Sequence, residues 1–160
     1  LEASVELASP AGIRIVPLYD FVLGVRQTAL RPAELVSAIL LPDVPATTTG
    51  SFIKIGARKY LVISITMVAA LMSVVNGRII EARVAVGACS AVAQRVPLLE
   101  AALLGCGVAD AVDQIHPAHL EQLSPISDMR GSAQYRGEAA LELCRRAVTG
   151  ALQDRARCNG

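Results

Sequence analysis

The 160-residue sequence contains no tryptophan and few other aromatic residues, with two phenylalanines and three tyrosines. It also lacks an excess of charge of either sign, since 15 lysines and arginines face 14 aspartates and glutamates. Nucleic-acid-binding domains carry clustered basic residues interleaved with aromatic ones, so this composition argues against that class. Hydrophobic residues make up 53% of the sequence and charged residues 18%, which indicates a folded domain with a core rather than a disordered chain.

The sequence has no C-x-x-C pair among its four cysteines, so neither a zinc site nor a disulfide framework is indicated. We interpret these cysteines as reduced thiols of a cytoplasmic protein that fill small apolar sites. His116 and His119 form an H-x-x-H pair without a cysteine or carboxylate at ligand spacing, which favours a solvent-facing or packing role over metal binding. The cysteines are Cys89, Cys106, Cys144 and Cys158.

Motifs of common catalytic centres are absent as well. The sequence has no G-x-S-x-G, no H-E-x-x-H and no Walker loop, and acid–base catalysis by this chain alone is not expected. The longest apolar run, LVISITMVAALMSVV at 61–75, has fifteen residues, whereas a membrane-spanning helix needs about 18–20. We therefore predict a buried strand there and no membrane association.

Segments typical of β-strands fill the first half of the sequence. The turn signal Ser9-Pro10-Ala11-Gly12 divides the first segment into two short strands, and Asn76-Gly77 predicts a hairpin. Alternation in the strand after Asn76-Gly77 predicts one covered face, formed by Ile80, Ala82, Val84 and Val86. The predicted strand segments are 3–18, 34–42, 51–59, 61–75 and 78–89.

After residue 91 the hydrophobic period changes to that of helices. We predict helices over 92–105, 108–123 and 131–154, the second interrupted at Pro117. The order of strands followed by helices predicts an α+β fold, with an antiparallel sheet of three to four strands and three helices packed on it. The apolar stripes of the first and third helices are Val96, Leu99, Leu103 and Leu104, and Leu141, Cys144, Val148 and Leu152.

Two stretches carry unusual chemistry. In SFIKIGARK, residues 51–59, Lys54 stands inside a strand and two further cations follow within six residues. This pattern fits either an exposed strand face with a basic turn or a cationic loop that faces an anionic or electron-rich ligand. The glycine and alanine after the strand allow close backbone approach.

The stretch SPISDMRGSAQYR, residues 124–136, precedes the third helix. Ser127 or Asp128 can accept hydrogen bonds from free backbone N–H groups, and Ser132 can cap the helix. Asp128 and Arg130 can pair with each other or hold backbone groups. We interpret the stretch as a structural helix entrance, with an anion site at the helix start as the alternative.

Four segments occur in one order that resembles the C-terminal domain of the FAD-binding medium subunit of molybdenum hydroxylases. That family includes xanthine dehydrogenases and aerobic carbon monoxide dehydrogenases. The resemblance covers roughly residues 3–152. The segments are VPLYDF-x2-G-x3-TALRPAELVSAILLP, SFIKIGARK, GRIIEARVAVGA and PISDMRGSAQYR.

The resemblance implies a domain that helps to enclose FAD and passes electrons from iron–sulfur clusters to an acceptor. It implies partners as well, a molybdopterin-binding large subunit and an iron–sulfur small subunit that hold the molybdenum cofactor and the clusters. The glycine-rich segments that bind the FAD pyrophosphate belong to a preceding domain of the family, so the isolated chain is expected to be inactive. Under this resemblance, residues 1–18 are the end of that domain or a linker, 19–154 the C-terminal flavoprotein domain, and 155–160 a tail.

The same resemblance assigns positions near the flavin. Val36 matches an apolar residue that approaches the flavin, and Lys54 matches a nearby lysine. Arg58, Lys59 and Tyr60 match a mobile loop. Many members carry an aspartate before the isoleucine that follows this loop, where this sequence has Val62. The rival hypothesis is a free-standing α+β interaction module derived from that domain, without a flavin role.

Overall fold

The computed structural model describes residues 2–58 and 62–158, with side chains described up to residue 153. The chain forms two compact units, which divide between Val44 and Pro45. In the described part of the chain, no helix is long and apolar enough to cross a membrane. The predicted α+β class, with antiparallel sheets and helices packed against them, is confirmed.

The first unit is a three-stranded antiparallel sheet in the order β2-β1-β5, with a short ribbon of β3 and β4. Val5 and Leu7 on the central strand are buried against Phe21. The predicted turn after Ser9 is confirmed, because the Ser9 hydroxyl accepts the Ala11 N–H at 3.2 Å. The elements are β1 (Ser4–Ser9), β2 (Gly12–Pro17), α1 (Leu18–Phe21), β3 (Val22–Gly24), β4 (Gln27–Thr28) and β5 (Leu35–Leu40).

The first unit continues past residue 18, and the domain bounds that the resemblance implies, 1–18, 19–154 and 155–160, remain a prediction. β1 pairs with β2 on one side and with β5 on the other, so residues 19–44 stay with the first unit. The N-terminal hairpin is thus one part of a sheet that β5 completes.

A half-buried ion pair lies in the first unit. The Arg14 guanidinium donates to both carboxylate oxygens of Glu34, at 2.6 and 2.8 Å, and the Arg31 N–H donates to the same carboxylate at 2.7 Å. The Arg14 hydrogen bond is the main cause that lowers the pKa of Glu34 from 4.5 to about 2.

We expect this pair to make the first unit acid-sensitive. Because the pKa of Glu34 is lowered on folding, its stabilisation is complete above about pH 4.5 and is lost as the pH falls to about 2. Thermal unfolding across that range should show a smaller loss of Tm for Glu34→Gln than for the wild type. Glu142→Gln, in an exposed pair with Arg146, is the matched control. Equal acid sensitivity of Glu34→Gln and the wild type would contradict the prediction.

The second unit contains a four-stranded antiparallel sheet in the order β6-β7-β8-β9, and helices cover one of its faces. The described helix α3 packs along β6 and β7, and α2 packs on β8. The elements are β6 (Thr48–Gly56), β7 (Ser64–Val75), β8 (Arg78–Gly87), β9 (Gln94–Arg95), α2 (Pro97–Leu103), two 3-10 helices (Val112–Gln114 and Pro117–Leu120) and α3 (Ala133–Cys158).

Residues 64–75 of the long apolar run form β7, an inner strand of this sheet, as predicted, whereas 62 and 63 precede the strand and residue 61 lies outside the described residues. β7 and β8 form the hairpin that Asn76-Gly77 indicated, and both turn residues have positive φ, 49° and 75°. Such turns match the twist of paired strands. The core beneath the sheet includes Val68, Met72, Val84, Leu99, Leu103, Leu143 and Val148.

Two predicted faces and one predicted helix differ from the structure. A β-bulge in β8 places Ile79 in the core and leaves Ile80 57% exposed, because Val74 pairs with Ile79 while Ser73 pairs with Glu81. α2 ends at Leu103, so Leu104 turns outward and is 51% exposed. The predicted second helix is two short 3-10 turns, the second of which begins at Pro117.

Candidate functional site

The open face of the second sheet is the side that the helices do not cover, and Lys54 lies there. Its strand β6 alternates exposed Phe52 and Lys54 with half-buried Ile53 and Ile55, which pack on the core. Lys54 pairs across the sheet with Met67. The period of two therefore fixes the direction of the Lys54 side chain away from the helices.

Neighbours with short or apolar side chains surround Lys54 on this face. Phe52 is 62% exposed and pairs with the exposed Ala69, which pairs in turn with Ala85. Gly87 pairs with Met67, and a side chain on Gly87 would collide with Met67. The result is an apolar surface with a cation at its end, which suits a flat ring system that carries negative charge.

The Lys54 ammonium contacts the segment that returns from the β6–β7 connection. It donates to the backbone carbonyl of Val62 at 3.4 Å. Val62 also lies against Gly56, where a side chain would overlap the Val62 methyl group. Gly56 thus allows the returning segment to reach Lys54, a close approach that the sequence pattern suggested.

The other predicted flavin residues fall in different places. Arg58 is exposed and follows the end of β6, whereas Lys59 and Tyr60 lie outside the described residues. Val36 is 43% exposed on β5 in the first unit, where it pairs with Leu7. The structure therefore brings Lys54 together with Val62, where the β6–β7 connection returns. Val36 belongs to the first unit and Lys54 to the second. The assignment of all five residues to a flavin remains a prediction.

The helix entrance at 124–136 forms a dense hydrogen-bonded turn, as interpreted. The Ser132 hydroxyl accepts the Tyr135 N–H at 3.1 Å and so caps α3, and the Ser127 hydroxyl accepts the Ala133 N–H at 2.9 Å. Asp128 accepts the Arg130 N–H at 2.8 Å and pairs with the Arg130 guanidinium at 3.3 Å. These contacts are those of a structural turn.

Arg136 is the residue of this stretch that the sequence analysis missed. Its side chain is only 2% exposed, and it donates to the carboxylate of Asp128 at 2.7 Å. It also donates to the carbonyls of Ile65 at 2.6 Å and Ala88 at 3.1 Å. A signal was present, because Arg136 stands four residues before Ala140 on the buried stripe of α3. The Arg130 N–H and the Arg136 guanidinium lower the pKa of Asp128.

A cavity of about 330 Å³ lies on the helix side of the second unit and is separate from Lys54. Cys89, Leu120, Leu123 and Leu141 line it together with residues of the adjacent turns. Its lining is mainly apolar. Cys89 forms part of its wall but is itself buried, and desolvation raises the pKa of the thiol.

The other singled-out cysteines and histidines have structural positions. Burial raises the pKa of Cys144 to about 12, so this thiol is an apolar filler, as interpreted. The ring of His119 accepts the His116 N–H at 3.3 Å and closes a short turn. Among the described residues, Cys89, Cys106 and Cys144 are unpaired, and no group of three or more potential metal ligands is found.

The geometry defines an α+β fold with an open sheet face on which Lys54 is exposed beside apolar residues. Residues 51–151 match the family described as the CO dehydrogenase flavoprotein C-terminal domain. The chain belongs to this family, and the resemblance read from the sequence is confirmed.

Individual relatives agree with this assignment. The chain is 32% identical over 150 residues to the nicotine 6-hydroxylase medium subunit of Paenarthrobacter nicotinovorans, an alignment that covers 92% of this chain and 52% of that protein. It is 31% identical over 128 residues to a putative xanthine dehydrogenase FAD-binding subunit of Escherichia coli, covering 79% and 40%. The chain thus spans about half the length of the curated relatives it matches.

A solved structure shows the same architecture. Reconstituted CO dehydrogenase from Oligotropha carboxidovorans superposes with a TM-score of 0.88 and 30% identity, and the match covers 96% of this chain and 54% of the other. The likeness therefore extends through both units of this chain.

Proposed function

We propose that this chain forms the C-terminal part of an FAD-binding subunit in a xanthine dehydrogenase-like molybdenum hydroxylase of the cytoplasm. In this function it helps to enclose FAD and supports electron transfer from iron–sulfur clusters to an acceptor. Its partners are a molybdopterin-binding large subunit and an iron–sulfur small subunit. Family membership supports the proposal, since relatives are named as medium or FAD-binding subunits.

The single structural observation that supports the flavin role is the position of Lys54 on the open sheet face. Its ammonium lies on the open sheet face at the end of an apolar surface, held 3.4 Å from the carbonyl of Val62. FAD, when bound, supplies two-electron redox chemistry. Residues on this face fit the ring of such a cofactor, because exposed Phe52 and Ala69 offer apolar contact and Lys54 offers positive charge.

The pyrophosphate of FAD needs a different kind of site. Anionic phosphates bind at helix N-termini or at successive free N–H groups, usually in a glycine-rich turn. Among the described glycines, those with positive φ are Gly12, Gly77 and Gly105, which lie in two hairpin turns and after α2. We therefore assign to this chain the ring side of the site only, and the pyrophosphate to another part of the subunit.

The test is Lys54→Met in the full-length subunit within the assembled complex. A positive charge beside the flavin stabilises added electrons, so its removal is expected to lower the flavin potential and slow electron transfer to the acceptor. Spectroelectrochemistry measures the potential. Oxidation of substrate, followed with a dye that takes electrons before FAD, should be unchanged.

Arg83→Met is the matched control. Arg83 lies on the same open face, in β8, but its charge is compensated by an ion pair with Glu81. Its removal should leave the flavin potential unchanged. An unaltered potential in Lys54→Met would overturn the flavin role of this face and favour the interaction module without a flavin role.

A further inference from the structure

The β6–β7 connection re-enters the sheet through an irregular pairing. Ile55 pairs with Thr66, whereas the next residue, Gly56, pairs with Ser64. Ile65 is therefore an extra residue, a β-bulge near the start of β7. A bulge redirects the strand that precedes it, so the geometry at Ile65 sets the course of Val62 and Ile63.

Arg136 hydrogen-bonds to the backbone carbonyl of the bulged residue. Its guanidinium donates to the Ile65 oxygen at 2.6 Å, the shortest of its hydrogen bonds. The same guanidinium donates at 3.1 Å to Ala88, which has φ of 64° just after the end of β8. Arg136 thus joins the irregular ends of two neighbouring strands.

Asp128 determines the orientation of this guanidinium. Its Oδ1 atom accepts from Arg136 at 2.7 Å and from the Arg130 N–H at 2.8 Å. Arg136 is 2% exposed, so its charge has little access to water and depends on this carboxylate. The turn at the entrance of α3 thus supplies the carboxylate of Asp128, which orients the buried side chain of Arg136.

We propose that Arg136 is a positioning residue for Lys54. It holds the bulge at Ile65, the bulge directs the returning segment, and the Val62 carbonyl of that segment holds the Lys54 ammonium. The cation on the open face is therefore set in place from the opposite, helix-covered side of the sheet. This inference rests on the proposed flavin role, since its consequence for catalysis passes through Lys54.

The first experiment uses the 160-residue chain and needs no flavin. Arg136→Lys keeps the positive charge near Asp128 but cannot donate in the same fork to two carbonyls. We expect amide exchange of the segment 62–66, measured by mass spectrometry, to speed up about tenfold or more. The acetylation rate of Lys54 by acetic anhydride should rise as well, because its ammonium loses a fixed acceptor.

Arg145→Lys is the control on the same helix. Arg145 donates to the carbonyl of Ile115 at 3.2 Å, away from the bulge. Its substitution should change neither the exchange of residues 62–66 nor the acetylation of Lys54. If Arg136→Lys leaves both unchanged, or if Arg145→Lys changes them equally, the positioning role is wrong.

The second experiment is a double-mutant cycle on the flavin potential in the assembled complex. Arg136→Lys is expected to shift the potential in the direction of Lys54→Met, and to add no further shift in the Lys54→Met background. Equal shifts by Arg136→Lys in both backgrounds would overturn action through Lys54. If Lys54→Met itself leaves the potential unchanged, the flavin role fails, and the exchange and acetylation results still decide the positioning of Lys54.

Discussion

Arg136→Met is expected to lower the free energy of unfolding of this chain by about 3 kcal/mol, at the low end of the range for breaking a buried ion pair. The substitution removes the donor to the Ile65 and Ala88 carbonyls and leaves the Asp128 carboxylate without its main cation. Methionine fills part of the volume, so the loss reflects polar contacts more than a cavity. Urea unfolding followed by circular dichroism measures the change.

Two further variants at the entrance of α3 rank the contributions of its side chains to stability. Asp128→Ala leaves the buried Arg136 charge uncompensated and should lower Tm strongly. Arg130→Ala removes an arginine whose side chain is 33% exposed and should cost under about 1 kcal/mol. We expect none of the three to abolish flavin binding in the complete subunit. Equal melting temperatures for all three variants and the wild type, with loss of flavin, would instead support an anion site.

The isolated 160-residue chain is expected to fold and to be colourless. Its described part offers an open face for a ring but no glycine-rich turn for a pyrophosphate. Isothermal titration with FAD should show no binding tighter than roughly millimolar, which corresponds to about 4 kcal/mol. The expected difference in FAD binding is large, because the full-length subunit should retain stoichiometric flavin through purification.

The matched comparison is the full-length subunit expressed and purified in the same way. A yellow preparation of the short chain, with one flavin per protein, would contradict the division of the site. A colourless full-length subunit that stays colourless in the presence of its partners would contradict the flavin role as a whole.

Local sequence signals were sufficient to predict structure that depends on residues close together in the sequence, such as hairpin turns and helix ends. Asn76-Gly77 specified the β7–β8 hairpin because a turn with two positive φ values is strongly selective for these residues. Proline and glycine likewise stand at the limits of α2, Pro97 at its first position and Gly105 just after its end, although the predicted range began earlier, at residue 92. The position of Lys54 inside a strand was also predicted, whereas its exposed direction is seen in the structure.

Register shifts were beyond the reach of the sequence pattern. The bulges at Ile65 and Ile80 each insert one residue, and an inserted residue exchanges the faces of everything before it. Strict alternation therefore assigned Ile80 to the core in place of Ile79. Only the pairing with the neighbouring strand shows where the extra residue lies.

The sequence by itself determined the α+β class, the order of elements, the family and Lys54 as the cation of interest. These depend on local periods, on turn residues and on ordered motifs along the chain. Only the tertiary structure decided the function of the helix entrance, because the partners of Arg136 come from three separate segments. An arginine on an otherwise apolar helix stripe is stable only if distant carbonyl and carboxylate groups converge on it, and such convergence is a property of the packed fold.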